Sequence, residues 1–359
     1  HDPAVRVAPV MTPQRRRLLF VGAHPKANGS NIAASHELAL RLRTSGWNTQ
    51  VVSMHAHPVG RLVEQVRAVL RAAPATTLVL LDVFSGRALS WARVAAAVCR
   101  ARKVPYAAIL HGGGLADLAT KSPQLLEPLL CGAESTITPS PWLARTVAER
   151  LVRPIVIPNG IDLSGYTWRE RRALTPEILW LRALHPIYRP ELAIQTVALL
   201  RRAGVPARLT MVGPDKAGLR PQLERKIRAA QLEKFVRIVG PVPKAEIPQW
   251  LDRADILLNT TDVDNAPVSL VEALACGVPV VSTDAGGIPD LLRSEDHGVL
   301  VPCGSAEAMA RAIEGLVNHP DHAASLSVAG RRLAAHFDWA VVDAQWGALL
   351  ADLAGEVRP

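Results

Sequence analysis

The sequence predicts an α/β protein with two doubly wound, Rossmann-like domains that face each other across a cleft. The chain has 359 residues, more than a single hydrophobic core usually organises. Hydrophobic residues make up 49% of it and aromatic residues only 4%, an aliphatic composition typical of α/β proteins. Short aliphatic segments alternate with longer segments of helical periodicity, which indicates parallel sheets with helices on both faces.

The first half of the chain contains six short aliphatic segments of the kind that form buried strands. They are 17–22, 48–54, 77–82, 107–111, 135–139 and 155–158. Between them, segments such as 32–45, 58–73 and 140–150 carry apolar residues three and four positions apart, which predicts helices. Residues 1–13 have no clear period, and we expect them to be disordered.

The second half repeats this alternation of strands and helices. Its predicted strands are 178–182, 208–212, 236–239, 256–259, 278–282 and 299–301. Between the halves, Asn159 and Gly160 favour a tight turn and a polar stretch follows at 164–172. We therefore predict a first domain over 14–163 and a second over 164–339, with a C-terminal helix, 340–359, that packs back on the first domain.

Several functional classes lose support from what the chain lacks. Neither GxGxxG nor GxxxxGK[ST] occurs, which disfavours dinucleotide dehydrogenases and P-loop enzymes. The four cysteines lie far apart without a CxxC pair or a histidine cluster, so we expect no disulfide, no metal site and a reducing compartment. With no apolar run of the roughly 18 to 20 residues that a membrane span needs, we expect a cytoplasmic protein.

The positive charge is concentrated in the first half. Residues 1–163 contain 19 Lys and Arg against 9 Asp and Glu, whereas residues 164–359 contain 22 against 23. This predicts either solvated arginine-rich helices or a surface for anionic lipid headgroups or an anionic acceptor. The candidate contact helix is 58–73, which carries Arg61, Arg67 and Arg71. No recognition motif accompanies the charge, so no nucleic-acid partner is expected.

The most informative stretch is 262–281, DVDNAPVSLVEALACGVPVV. It predicts a strand end, a loop, a helix beginning near Ser269 and another buried strand. Ser269 and Glu272 have capping-box spacing, so Glu272 either caps the helix or faces a ligand. A helix N-terminus at a cleft suits a phosphate, and Glu272 and Asp264 could accept hydrogen bonds from ribose and sugar hydroxyls. Two carboxylates could also form a glycosidase pair, but a parallel α/β architecture favours sugar-nucleotide binding.

These residues resemble the E-x7-E signature of the retaining GT-B glycosyltransferases of family 4. The resemblance covers Asp264 to Glu272, the ALACGVPVV that follows and DAGGIPD at 284–290. PNGID at 158–162 resembles the hinge of that family, HGGG at 111–114 its N-domain histidine loop, and FDW at 337–339 its motif before the C-terminal helix.

The resemblance implies donor-binding roles for this stretch. Glu272 would hold the ribose, and Asp264 would contact the transferred sugar, although the family usually has Glu there. The backbone N–H groups of Val268 and Ser269 would meet the diphosphate. Asn265 and Ala266, on the same loop, are assigned to donor binding with them.

Four further residues are implied by the resemblance. Arg182 matches a phosphate-binding arginine, and Arg189, seven residues on, is our substitute for an absent lysine. Two cations on the β-phosphate would offset charge developing on the leaving group. His111 would face the donor sugar near the acceptor, and Gly29 would approach the diphosphate. For each of these residues an ordinary loop or turn position is the alternative.

The predicted function is therefore metal-independent transfer of a sugar, with retention of anomeric configuration, from a UDP- or GDP-sugar to an acceptor hydroxyl. No cofactor is expected. The acceptor stays open between a lipid-linked or membrane-associated glycan, a polysaccharide and a small natural product, and so does the oligomeric state. Two alternatives are a GT-B-type sugar-nucleotide epimerase and a catalytically degenerate sugar-nucleotide-binding protein.

Overall fold

The computed structural model describes residues 17–22, 34–52, 58–293 and 295–354. They form two six-stranded sheets, and every strand pair is parallel. The predicted α/β fold with two doubly wound domains is confirmed. The predicted disorder of residues 1–13 falls outside the described residues.

The first sheet has the strand order β2-β1-β3-β4-β5-β6. Its strands are β1 (Arg17–Val21), β2 (Thr49–Val52), β3 (Thr77–Val83), β4 (Tyr106–Leu110), β5 (Ser135–Thr138) and β6 (Ile155–Val156). The helices between them are α1 (Ala34–Thr44), α2 (Pro58–Arg71), α3 (Arg87–Ala101), α4 (Gly114–Lys121), α5 (Glu127–Leu130) and α6 (Pro141–Ala148). The central strands β3 and β4 are buried along their whole length, as helix-covered parallel strands require.

The second sheet has the order β12-β11-β10-β7-β8-β9. Its strands are β7 (Glu177–Leu181), β8 (Arg208–Val212), β9 (Val236–Gly240), β10 (Ile256–Asn259), β11 (Val280–Thr283) and β12 (Val299–Val301). The helices are α7 (Pro190–Arg202), α8 (Arg220–Ala229), α9 (Ile247–Asp252), α10 (Val268–Ala275), α11 (Ile288–Leu291), α12 (Ala306–Asn318) and α13 (Pro320–Ala334).

The last helix, α14 (Trp339–Ala354), leaves the second domain and packs on the first sheet. Trp339, Val342 and Trp346 are buried in the same hydrophobic cluster as Leu18 and Phe20 of β1. The chain therefore crosses between the domains twice.

A buried arginine anchors the first crossing. Arg171 follows the turn between the domains, and its side chain is only 1% exposed. Its guanidinium donates hydrogen bonds to the main-chain carbonyls of Arg169, Leu251, Asp252, Ala254 and Cys276. Several of these carbonyls lie at the ends of α9 and α10, where no intrahelical donor remains for them. One side chain thus ties the linker to two helices of the second domain.

Candidate functional site

The loop between β10 and α10 lies at the carboxyl edge of the second sheet, where doubly wound folds bind ligands. Two glycines hold it in place by close backbone contact. A side chain at Gly286 would overlap the carbonyl oxygen of Asp264, and one at Gly287 would overlap that of Asn265. Gly286 also has a φ of 58°, which glycine adopts without strain. The GG of the DAGGIPD motif is therefore what allows the loop to sit at this edge.

Asp264 forms an ion pair with Arg182, which follows β7. The two side chains are only 13% and 17% exposed, so the pair is largely shielded from water. The Arg182 guanidinium also lies 4.4 Å from the centre of the Tyr188 ring. Burial lowers the pKa of Arg182, an effect that Tyr188 and the charge of Glu272 oppose. The structure thus brings together two residues that the sequence assigned to the sugar and to the phosphate.

Glu272 lies within α10 and is buried inside the second domain. Its Oε1 accepts a hydrogen bond of 2.8 Å from the hydroxyl of Tyr166. Burial raises the pKa of Glu272, while the Tyr166 hydroxyl and the charge of Lys244 act in the opposite direction. The capping alternative is not what the structure has, because α10 begins at Val268 and so Ser269 lies inside the helix.

The first turn of α10 presents main-chain N–H groups that have no intrahelical acceptor. Pro267 precedes the helix and has no side-chain group that could cap it. Val268 is half-buried and Ser269 is buried, and both belong to this turn. Ala266 and Asn265 lie on the loop just before it. The Asn265 side-chain nitrogen is buried and has no hydrogen-bond partner within the described part of the chain.

His111 directly follows β4, as predicted from the end of an aliphatic segment. Its Nε2 lies 2.8 Å from Oδ1 of Asp82, and its ring stacks on Phe84 with centroids 4.7 Å apart. The loop that begins at His111 reaches the second domain, because a Cβ on Gly113 would come within 2.9 Å of the Val263 side chain. His111 and Asp264 are therefore on adjoining loops of opposite domains.

Arg189 lies at the start of α7 in the left-handed backbone region, with a φ of 46°. Its guanidinium lies 3.1 Å from Glu191 and 3.4 Å from Asp262. Asp262 is on the same loop as Asp264, so the structure places Arg189 at the rim of the site. Gly29 falls outside the described residues.

Three polar contacts join the domains around this site. The Ser140 hydroxyl contacts the side-chain oxygen of Asn265. Arg145 of α6 forms two hydrogen bonds, of 2.9 and 3.0 Å, with Asp290 of α11. Glu37 of α1 accepts hydrogen bonds of 2.8 Å from Lys244 and 2.9 Å from the Trp339 indole.

Three residues of this site were not predicted from the sequence: Asp82, Tyr166 and Lys244. Asp82 had a signal, because it is a carboxylate within an aliphatic segment and its side chain is 5% exposed. Tyr166 follows the predicted hinge and is one of only three tyrosines in the chain. Lys244 carries no local pattern, since its partner Glu37 is 207 positions away.

The second domain is similar to a known protein family. Residues 175–319 match the family model described as glycosyl transferases group 1. Amylovoran biosynthesis glycosyltransferase AmsK of Erwinia amylovora is 38% identical over 124 residues, which cover 33% of this chain and 30% of that protein. The chain spans 30% to 49% of the lengths of three curated relatives that it matches.

Solved structures show the same fold over nearly the whole chain. Sucrose-phosphate synthase from Thermosynechococcus elongatus superposes with a TM-score of 0.76 at 20% identity, covering 94% of this chain and 99% of that one. Anabaena Alr3699/HepE in complex with UDP gives a TM-score of 0.71 at 20% identity, covering 94% and 100%. The fold is therefore GT-B, and the resemblance to group 1 glycosyltransferases is confirmed. None of the helices in the described part of the chain has the length and hydropathy that crossing a membrane requires.

Proposed function

Because residues 175–319 form a group 1 glycosyltransferase domain on a GT-B fold, we propose that this protein transfers a sugar from a nucleoside diphosphate donor to an acceptor hydroxyl. The observation that carries the proposal is the ion pair between Arg182, which follows β7, and Asp264, which lies on the loop that leads into α10. Arg182 is a cation that suits a phosphate, Asp264 can accept hydrogen bonds from sugar hydroxyls, and the N-terminus of α10 follows on the same loop.

The diphosphate of the donor would lie at the start of α10. The N–H groups of Val268 and Ser269 and the positive end of the helix dipole favour an anion there. Arg182 would turn from Asp264 to the β-phosphate, where its charge offsets the negative charge that develops on the leaving group. Asp264 would then be released from its ion pair to accept hydrogen bonds from the transferred sugar.

The nucleoside would extend from the diphosphate toward Glu272. Tyr166 occupies Oε1 of that carboxylate, which leaves Oε2 to accept hydrogen bonds from ribose hydroxyls. The unpartnered Asn265 nitrogen is a donor in the same region, suited to a phosphate or sugar oxygen. Because ribose hydroxyls need an acceptor, the ionised form of Glu272 is the form expected to bind the donor.

His111 would face the sugar from the other domain, near the acceptor. Asp82 holds its Nε2, and Phe84 supports the face of its ring. In our proposal the acceptor attacks from the leaving-group side and a phosphate oxygen takes its proton, so the anomeric configuration is retained and no metal or cofactor takes part. Arg189 at the rim is the second cation for the phosphate.

The relatives support a biosynthetic role. AmsK is named for amylovoran biosynthesis, which supports a polysaccharide or other glycoconjugate as product. The donor we propose is a UDP- or GDP-sugar, and the UDP in the HepE structure supports the first of these. We propose that the protein acts in the cytoplasm.

The test of activity is hydrolysis of UDP- and GDP-sugars without acceptor. In reactions that contain an acceptor, NMR identifies the anomer of any transfer product. Glu272→Ala is expected to lower kcat/KM more than roughly tenfold, because the interaction between the carboxylate and the ribose would be present in both the donor complex and the transition state. Glu233→Gln, an exposed acid of the same domain, is the control. Full activity in Glu272→Gln would contradict the role of the carboxylate, and nucleotide binding without any turnover would favour a degenerate binding protein.

A further inference from the structure

A cavity of about 630 Å³ lies between α2 and the strands β1 and β2. Its apolar lining comes from Leu19 and Val52 of the sheet and from Val63, Ala68 and Ala72 on the α2 side. The cavity opens to the surface. Among the residues that the structure describes, α2 therefore leaves part of this edge of the sheet uncovered.

The cavity is separate from the donor cleft. Its lining includes Arg17 and Thr77, which begin β1 and β3 at the amino edge of the first sheet. His111 follows β4 at the carboxyl edge, which faces the second domain. A ligand in the cavity would thus bind independently of the proposed donor.

Three arginines line the cavity against a single acid. Arg67 and Arg71 lie one turn apart on α2, and neither has an ion-pair partner within the ranges that the structure describes. Arg17 contacts Gln50 across the cavity edge. The acid, Glu64, also acts on Arg61, whose guanidinium lies 5.4 Å from the Trp91 ring. Of the three arginines predicted to contact an anionic surface, Arg67 and Arg71 line the cavity, whereas Arg61 packs on Trp91 and does not.

The same helix exposes aliphatic side chains beside these charges. Val59 is 63% exposed, Val63 40% and Leu70 47%. With Arg67 they recur at intervals of four, four and three residues, which places them on one stripe of α2. An exposed stripe that mixes aliphatic residues and arginine is the pattern of helices that lie in a membrane interface.

We propose that this cavity binds the headgroup phosphate of an anionic phospholipid. Arg17, Arg67 and Arg71 would contact the phosphate, while the aliphatic floor and the α2 stripe would contact the upper part of the acyl chains. The occupant is a lipid because a free phosphate would leave most of the volume and all of the apolar lining without a partner. This site would hold the protein at an anionic membrane surface.

The test is co-sedimentation of the full chain with phosphatidylcholine vesicles that either contain or lack phosphatidylglycerol. Reversing both charges in Arg67→Glu/Arg71→Glu is expected to lower binding to the anionic vesicles at least tenfold, since each basic residue near such a surface contributes about 1 kcal/mol. Arg150→Glu/Arg153→Glu makes the same change in net charge on exposed residues outside the cavity lining, and we expect it to bind nearly as well as the parent.

A second variant tests the cavity without changing charge. Ala68→Phe partly fills the space, and we expect it to weaken vesicle binding while the melting temperature and donor hydrolysis stay near the parent values. Equal losses in the two double variants would mean general charge attraction and would overturn the proposal. So would vesicle binding by Ala68→Phe at the parent level, or a rise in Tm with inorganic phosphate without preference for anionic vesicles. Donor hydrolysis is measured in every variant, so failure here is distinguishable from failure of the proposed function.

Discussion

Removing one oxygen atom from Tyr166 should weaken donor binding without altering the fold. Tyr166→Phe deletes the hydroxyl that donates a 2.8 Å hydrogen bond to the buried Glu272. A hydrogen bond to a charged group contributes about 1.5 to 3 kcal/mol. The hydroxyl favours the ionised carboxylate, which is the form that binds ribose in our proposal. We therefore expect KM for the donor to rise by up to roughly ten- to hundredfold at pH values where Glu272 of the variant is protonated and that of the parent is ionised.

The effect should depend on pH in a defined direction. Burial already raises the pKa of Glu272, and the Tyr166 hydroxyl opposes that rise. Without the hydroxyl the pKa rises further, so a smaller fraction of Glu272 is ionised at a given acidic pH. The acid limb of the kcat/KM profile is therefore expected to move to higher pH, and the loss should be smaller at alkaline pH.

Donor hydrolysis measured across pH provides the assay, and Tyr106→Phe is the matched control. Tyr106 is also buried and donates a 2.6 Å hydrogen bond, but to the main-chain oxygen of Leu129 in the first domain. We expect it to lower stability without moving KM or the pH profile. If Tyr166→Phe changes only Tm, as the control does, then the hydroxyl is structural and Glu272 does not bind the donor as proposed.

The remaining predictions concern stability, the phosphate site and metal. Arg171→Met should lower the free energy of unfolding by about 3 kcal/mol, because five main-chain carbonyls each lose a hydrogen bond; urea unfolding checks this, and a loss below about 0.5 kcal/mol would contradict it. Arg182→Ala should reduce kcat by a factor equivalent to about 2 to 4 kcal/mol, and Arg189→Ala should reduce it too; steady-state rates at the parent level in the latter would assign the second cation to another residue. Chelator should leave the rate unchanged, and a strict Mg²⁺ requirement would refute metal independence. Because the folded pKa of Glu272 lies above its ordinary value of 4.5, its stabilising contribution is complete below that pH and is lost as pH rises; Glu272→Gln should therefore show less decline in Tm from pH 4.5 upward, and parallel Tm curves would contradict it.

All twelve strands lie where the aliphatic segments predicted them. The signal is strongest for inner strands such as β3, β4, β10 and β11, which are buried along their whole length and must therefore be largely apolar. The loop before α10 was also predictable, since its glycine and acid spacing is local. The pairs Tyr166–Glu272 and Asp82–His111 were not. Their partners are 106 and 29 positions apart, and a contact that depends on how the sheets fold leaves no periodic pattern in the chain.

The position of Glu37 has a mechanical consequence. One carboxylate of α1 contacts both Lys244 in the second domain and Trp339 at the return crossing. Each large apolar cluster stays with one domain, if the return helix is counted with the first domain and the linker residues Ile161 and Leu163 with the second. Spreading the two halves apart would therefore exchange hydrogen bonds for water and leave both cores intact. The free energy needed to separate the domains at this contact is therefore small, and it depends on ionic strength because the contact involves charged side chains. Under the proposed function, the rate of nucleotide release should therefore change with ionic strength, because opening the cleft breaks polar contacts and does not require either core to repack.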